Sequence, residues 1–288
     1  MITTSALQVR FGDTTALHPL DLDLPGERIY GLLGRNGAGK TTLLSVLAGF
    51  RKPSAGAVLF DGAPVFENVR STSRICLIRD DGMVGDGTDN LRDVLDMAAM
   101  LRPAFDSGYA AELLDRFGLT RKQRLGALSR GQRSAFAIVV GLASRAPLTM
   151  FDEAHLGMDA ANRQLFHDEL LRDYLAHPRT FVLSTHLIEE QSPLFEQVLI
   201  LHEGRLLLQS DLDELRERGV SVTGPAQVVD DFVYGLKVLS ERTLGPTKQV
   251  TVFGGLDDER RALAGRYALE LGPVAVQDLF IHLTGGVP

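Results

Sequence analysis

The sequence of 288 residues predicts an α/β protein: a parallel sheet, a small antiparallel sheet beside it, and a small α+β domain at the C-terminal end. Three observations carry this. Gly34-Arg35-Asn36-Gly37-Ala38-Gly39-Lys40-Thr41-Thr42 matches the phosphate-cradling pattern G-x-x-x-x-G-K-[ST] at every fixed position, between a strand-like run at 28–33 and a helical run at 41–50. Further strand-like runs at 75–78, 148–153 and 180–184 alternate with helical runs and lead into polar residues, which marks a parallel sheet with its site at the strands' C-terminal edge. Beyond Gly219, short strands and helices alternate without a chemical motif.

In chain order, 7–11 and 20–24 read as strands separated by the turn residues Gly12, Asp13 and Pro19. Residues 58–65 read as a hairpin with a tight Asp61-Gly62 turn. Helices follow over 90–101 and over 109–117, where Tyr109, Leu113, Leu114 and Phe117 share one face and Gly118 ends the run. After Leu128-Ser129-Arg130-Gly131-Gln132 an apolar helix runs to Ala143, and another reaches about Ala176 after Gly157-Met158-Asp159. The strands at 198–201 and 205–208, joined by His202-Glu203-Gly204, close this part as a hairpin, and 211–218 reads as a charged helix. The domains expected are therefore 1–218, with a helical part at about 88–145, and 219–288. The latter reads as strand, helix, strand, strand, helix, strand, helix.

Composition narrows the function classes. Net charge is -7 and no long basic run occurs, so nucleic acid is not expected as the main ligand. The one cysteine, Cys76, lies in an apolar run and reads as a small buried hydrophobe. A single cysteine forms no disulfide within the chain, which suits a reducing cytosol. The first five residues show no signal pattern, and the longest apolar stretch, 135–143, falls short of the roughly 20 residues of a membrane helix. Action at a membrane then requires another chain to span it.

The chemistry follows from residue types. Glycines 34, 37 and 39 let backbone N–H groups turn around an anion, Lys40 supplies a point charge for the β- and γ-phosphates, and the Thr41 hydroxyl can ligate Mg²⁺. Phosphoryl transfer to water also needs a metal carboxylate and a group acting on the water. Asp152 at the end of an apolar strand suits the first role and Glu153 the second, with His186 on another strand end. Two adjacent acids are also what a solvated strand end carries, and a lone histidine at a strand end is often structural.

The order of these motifs resembles the nucleotide-binding subunit of ATP-binding cassette (ABC) transporters over about 6–210. The phosphate loop, LSRGQ at Leu128 to Gln132, MFDE at Met150 to Glu153, LGMD at Leu156 to Asp159 and STH at Ser184 to His186 occur in that family's order. LSRGQ is the specific element. The resemblance implies a P-loop NTPase (RecA-like) core with an antiparallel β subdomain and a helical signature subdomain, binding ATP and Mg²⁺. It places Asn36, Gly37, Ala38, Gly39, Lys40, Thr41 and Thr42 around the phosphates and Phe11 on the adenine, with a core strand aromatic as the lesser alternative for Phe11. His186 would contact the γ-phosphate. Ser129, Gly131, Gln132 and Asp159 would act in trans on ATP held by a second subunit. A head-to-tail dimer, homo- or heteromeric, and a separately encoded transmembrane permease subunit are implied as partners, with the chain cytoplasmic at the inner face of the cell membrane. The terminal run Gln277-Asp278-Leu279-Phe280 looks like the tail of bacterial exporter subunits.

Three departures from the pattern stand out. Arg130 replaces the common glycine, and Ala154-His155 stand where Pro and Thr or Ser are usual. More consequentially, no glutamine occurs between Lys40 and Gln123, and Asp80 takes the place of the family's metal- and water-contacting glutamine. Asp80 can still offer hard oxygen to Mg²⁺ but adds negative charge, implying slower or more partner-dependent hydrolysis. A slow or regulatory subunit of a heterodimer and a soluble non-transport ABC ATPase are the alternative readings.

Overall fold

The computed structural model describes residues 1–79 and 87–285. It forms two compact units: Met1–His186 with Leu199–Leu208, and Leu187–Val198 with Gln209–Pro288. These differ from the sequence boundary at Gly219, because the second unit also takes in Leu187–Val198 and the residues from Gln209 to Arg218. Within that unit Leu212 N–H donates to Glu196 O (2.9 Å) and Gln197 Nε2 to Asp211 Oδ1 (2.8 Å), fastening 187–198 to the chain that leads into the C-terminal sheet.

The first unit holds the parallel sheet. Ile29–Leu33, Thr180–Thr185, Leu148–Asp152 and Ile75–Arg79 are neighbours in that order and all parallel, with the hairpin strands Gln197–His202 and Arg205–Asp211 beyond Ile29–Leu33. Their largely apolar character suits burial on both faces. On one face lies the helix Lys40–Leu47, whose Leu43, Leu44 and Leu47 enter a core shared with Leu32, Met150 and the antiparallel sheet. The helix Arg130–Ala143 also packs on the sheet, close enough at Gly141 that a Cβ would stand 2.7 Å from Phe151 Cε1. Only glycine fits there.

The antiparallel sheet runs Thr14–Leu24, Ile2–Phe11, Ala55–Phe60, Ala63–Pro64. Asp61 (φ 49°) and Gly62 (φ 79°) form the expected tight turn. Pro19 corrects the sequence reading: it lies inside the strand Thr14–Leu24 and does not break it. That strand is an edge, so the missing N–H costs no ladder bond, and the register slips between the pairs Leu7–Leu20 and Val9–Leu17.

The helical part comprises Leu91–Leu101, Ser107–Arg116 and Arg130–Ala143. The first two are capped by Asn90 and Asp106. Buried charge ties it to the helix Ala160–Ala176: Asp173 pairs with Arg145 and Arg179, while Glu169 pairs with Arg116 and Arg172. Asp173 and Glu169 are buried, and their charges are tolerated because each carboxylate takes two guanidinium groups. Tyr109 is buried against this network.

In the second unit, residues 219–273 form strands Gly219–Pro225, Lys237–Leu244, Thr247–Phe253 and Glu270–Pro273 with helices Ala226–Val233 and Asp258–Arg266. The spatial order Lys237–Leu244, Thr247–Phe253, Gly219–Pro225, Glu270–Pro273, antiparallel throughout, is the split β-α-β arrangement of ferredoxin-like domains. Sequence reading placed only 238–239 in the second of these strands. Its run Ser240-Glu241-Arg242-Thr243 is exposed or half-exposed at a sheet edge, so it lacks the apolar alternation that reveals a strand.

One stability prediction follows from Tyr109. Burial, and next the negative Glu169, push its hydroxyl from 10.0 up to about 12. Between those values the folded chain keeps a proton that the unfolded chain loses, so stability falls as pH rises from 10.0 towards about 12. Urea midpoints across that range should decline less steeply in Tyr109→Phe than in the wild type. Equal slopes would show that Tyr109 contributes nothing to alkaline unfolding.

Candidate functional site

The parallel register sets the site. Leu33 lies opposite Thr185, Ser184 opposite Asp152, and Asp152 opposite Arg79, so four strands end along one edge. From Leu33 the chain enters the Gly-rich loop and then the helix beginning at Lys40. Gly39 has φ 102°, and a Cβ there would meet Leu17 Cδ2 at 2.8 Å and Ala16 O at 2.9 Å. Both the backbone angle and the space demand glycine. At Gly34 a Cβ would stand 2.8 Å from Leu201 O, so the loop is held against the neighbouring strand. Gly204 closes this wall, its N–H donating to Ala38 O (3.0 Å) and its carbonyl accepting from His18 N–H (2.8 Å).

The cleft so formed measures ≈ 790 Å³ and is lined by residues 36–42, Asp152 and Glu153, with Thr14, Thr15, Ala16, His18, Glu203 and Gly204 opposite. Lys40 is buried and its Nζ donates to Gly34 O (2.7 Å) and pairs with Glu153 Oε1 (3.2 Å). The other carboxylate oxygen of Glu153, Oε2, lies 3.2 Å from His186 Nδ1. Three motifs far apart in sequence thus meet in one chain of polar contacts. Glu153 has φ 51°, a left-handed conformation uncommon outside glycine, and its N–H donates to Ser184 O (3.1 Å). The chain turns sharply where Leu148–Asp152 ends, and the strained residue is the one whose carboxylate meets Lys40 and His186.

Asp152 is 4% exposed and its Oδ1 has no hydrogen-bond partner among the described residues. An unpartnered buried carboxylate oxygen in a phosphate cleft fits a hard divalent cation, and the Thr41 hydroxyl is the same class of donor. Among the described residues no three His, Cys, Asp or Glu side chains converge to hold a metal by themselves. Mg²⁺ takes few carboxylates and completes its shell with substrate phosphate and water. Asp80 lies outside the described residues.

Ser129, Gly131, Gln132 and Asp159 do not line this cleft. Ser129 caps the helix Arg130–Ala143: Gln132 N–H donates to Ser129 Oγ (3.2 Å), and Ser129 N–H to Gln132 Oε1 (3.0 Å). This reciprocal capping box fixes the helix N-terminus, where the helix dipole favours an anion. The LGMD loop packs directly against it. A Cβ on Gly131 would fall 2.7 Å from Gly157 O, the Arg130 side chain covers Gly157, and Ser134 Oγ donates to Leu156 O (2.8 Å). Asp159 caps the next helix by accepting from Asn162 N–H (2.8 Å). The candidate residues therefore form two clusters, one around Lys40 and one around Ser129.

Phe11 is 45% exposed, with the Arg51 guanidinium 4.2 Å from its ring centroid, and it is not among the residues lining the cleft. It is a surface aromatic and not part of the core. Sequence reading missed Arg51, the Thr14–His18 wall and the burial of His155, whose Nε2 lies 3.5 Å from Thr185 Oγ1. Only the Glu203-Gly204 turn carried a local signal.

A phosphate loop, a buried cation-type carboxylate and a strand-end glutamate on a parallel sheet define a P-loop NTPase. Residues 17–155 match the family model described as ABC transporter. The whole chain is similar to the ABC transporter ATP-binding protein YtrB of Bacillus subtilis, 28% identical over 99% of this chain and 99% of that protein. It is also similar to the Nod factor export ATP-binding protein I of Burkholderia lata, 28% identical over 97% and 95%. A third relative is the daunorubicin/doxorubicin resistance ATP-binding protein DrrA of Streptomyces peucetius, 28% identical over 99% and 92%. Among solved structures, an ATP-binding subunit of an ABC transporter superposes with TM-score 0.68 at 23% identity, over 75% of this chain and 91% of that one. A dimeric ATP-binding cassette in a post-hydrolysis state with ADP and Pi gives 0.64 at 20% identity, over 74% and 99%. The P-loop NTPase fold expected from the motifs is thus the fold found.

The Gly131 contact is directly testable. Gly131→Ala should lose about 1–3 kcal/mol of stability in urea denaturation, since the methyl group must push the Gly157 carbonyl away. An unchanged midpoint would show that the two loops separate at no cost.

Proposed function

We propose that the chain binds and hydrolyses ATP as the nucleotide-binding subunit of an ABC transporter, and that ATP-dependent dimerisation drives export through a separate transmembrane permease. The observation that carries this reading is the convergence of Lys40, Asp152 and Glu153 on one cleft, with His186 against Glu153 and with Ser129, Gly131, Gln132 and Asp159 grouped elsewhere. A cleft that lacks its signature residues is half of a site, and a second subunit presenting Ser129 and Gly131 completes it.

In the proposed reaction the β- and γ-phosphates replace Glu153 as the partner of Lys40 and are held by the backbone N–H groups of 37–42. Phe11 stacks on the adenine. Glu153, released from Lys40, accepts a proton from water as its oxygen attacks the γ-phosphorus, and the bond to the bridging oxygen of ADP breaks. His186 holds the γ-phosphate in place. Asp152 and Thr41, with Asp80, would hold Mg²⁺, which when bound neutralises developing phosphate charge. The names of relatives with export and resistance roles support export as the direction.

For the permease, a groove of ≈ 400 Å³ between the sheet and the helical part offers Cys76, Leu77, Val94, Met97 and Leu101, with the exposed Met100 on the same helix. It suits an apolar segment of a membrane partner. No helix among the described residues is long and apolar enough to cross a membrane. We place the chain at the cytoplasmic face of the cell membrane, with 1–218 as the ATPase domain and 219–288 as an accessory domain. A second reading, a slow or regulatory subunit, is favoured by Asp80 alone.

Lys40→Ala should abolish binding of a fluorescent ATP analogue. Glu153→Gln should keep binding, lose about 10²–10⁴-fold in turnover and accumulate as an ATP-bound dimer in size-exclusion chromatography. Wild-type turnover in Glu153→Gln would overturn the catalytic assignment. Asp80→Gln should hydrolyse ATP faster, alone or with the permease, and an unchanged rate would remove Asp80 as a brake.

A further inference from the structure

The four-stranded sheet of the second unit has two unlike faces. Val220, Val222, Val250 and Val252 face a closed core with Val229, Phe232 and Ala264 from the two helices. The opposite face, one residue out of register, is polar: Ser221, Gln249, Thr251, Ser240 and Arg242. The final helix, Val276–Leu283, crosses this polar face at one end, where Leu279 packs so tightly on Gly219 that a Cβ there would stand 2.5 Å from Leu279 Cδ2. Beyond that contact, helix and sheet leave a groove of ≈ 120 Å³.

The groove carries opposite charges that are not paired. Asp278 and His282, one turn apart on the helix, face it from one side and Arg242 from the sheet. None of the three side chains makes a hydrogen bond or ion pair among the described residues. Around them stand the hydroxyls of Ser221, Ser240 and Thr251 and the amide of Gln249, which donates to Ser221 Oγ (3.0 Å). A guanidinium and a carboxylate across one small polar groove match a ligand that carries both charges. The volume, ≈ 120 Å³ against ≈ 790 Å³ for the nucleotide cleft, excludes a nucleotide and admits a small molecule.

We infer that this groove is an effector site for a small zwitterion, a free amino acid with a short side chain. Its carboxylate pairs with Arg242 and its ammonium with Asp278, and the hydroxyls of the sheet take the remaining polar group. The same helix provides the route to activity. Its Gln277 N–H donates to Glu189 Oε1 (3.2 Å), and Glu189 lies three residues after His186 in a segment that folds with this unit. Occupying the groove holds the helix N-terminus on Glu189 and thereby restrains the chain emerging from His186. This consequence rests on the ATPase reading above, whereas binding does not.

The test uses the full chain and named probes: glycine, L-serine and β-alanine, with acetate and ethylammonium as analogues bearing one charge. Isothermal titration should show binding of at least one of the zwitterions and at least about tenfold weaker binding of both single-charge analogues. Arg242→Ala and Asp278→Asn, both at exposed positions, should each weaken zwitterion binding at least about tenfold while leaving basal ATP turnover unchanged. Saturating zwitterion should change ATP turnover at least about twofold in the wild type and not in Glu189→Ala, whose groove residues are intact. No zwitterion binding, or binding that survives both substitutions, overturns the site. Binding with no change in turnover overturns the effector role. A chain that binds the zwitterion but shows no ATP turnover under any condition instead counts against the ATPase reading.

Discussion

The site depends on one constraint, the in-register ending of four parallel strands. Once Leu33, Thr185, Asp152 and Arg79 lie along one edge, the residues that follow Leu33, Thr185 and Asp152 emerge together, however far apart they are in sequence. A slip by one residue would turn Asp152 to the other face of the sheet and bury Phe151 where the cleft now is. What prevents the slip is burial on both faces: every residue of Leu148–Asp152 and Thr180–Thr185 is buried, and Phe151 is wedged between Phe166, at 5.2 Å centroid distance, and Phe181, at 6.4 Å. The geometry of the polar edge is thus fixed by apolar packing beneath it.

Much of this was legible in the sequence because the determinants are local. The phosphate loop needs its glycines and lysine at fixed spacing, and Ser129-x-x-Gln132 announces a capped helix. Asp152 and Glu153 follow a run apolar enough to be a buried strand. The misses share a physical cause, since each depends on contacts between distant segments. Pro19 reads as a turn until the strand is known to be an edge. The exposed run of Lys237–Leu244 conceals a strand whose ladder is set by its partner Thr247–Phe253. Nothing around Phe11 reveals that Arg51 covers it, and nothing around Leu187 reveals that the chain there folds with a unit resuming at Gln209.

The buried ionic network at Asp173 and Glu169 answers a related need. The helical part carries Ser129 and Gly131, while Asp159 opens the helix that bears Glu169 and Asp173. Breaking one partner of a buried pair costs about 3–5 kcal/mol, far more than an exposed pair contributes, so Arg145 and Arg179 hold these two segments in one arrangement. Burial lowers the Arg179 guanidinium to about 10, which still leaves it charged at neutral pH. The signature loop and the LGMD loop are therefore joined both at their tips, through Gly131 and Gly157, and at their bases.

The contact of Lys40 with Glu153 has a different character, because it joins two groups that the proposed reaction must separate. A buried ammonium cannot be left alone, and the structure gives Lys40 a carboxylate and a backbone carbonyl as partners. On the proposed reading a phosphate takes the place of the carboxylate, so Lys40 is paired before and after and the full cost of an isolated buried charge never arises. In the proposed reaction the exchange also releases Glu153, with His186 beside it, to act on water only when a phosphate has arrived. Coupling the base to occupancy in this way requires Glu153 within reach of both Lys40 and His186. Its φ of 51° is the backbone strain that provides this.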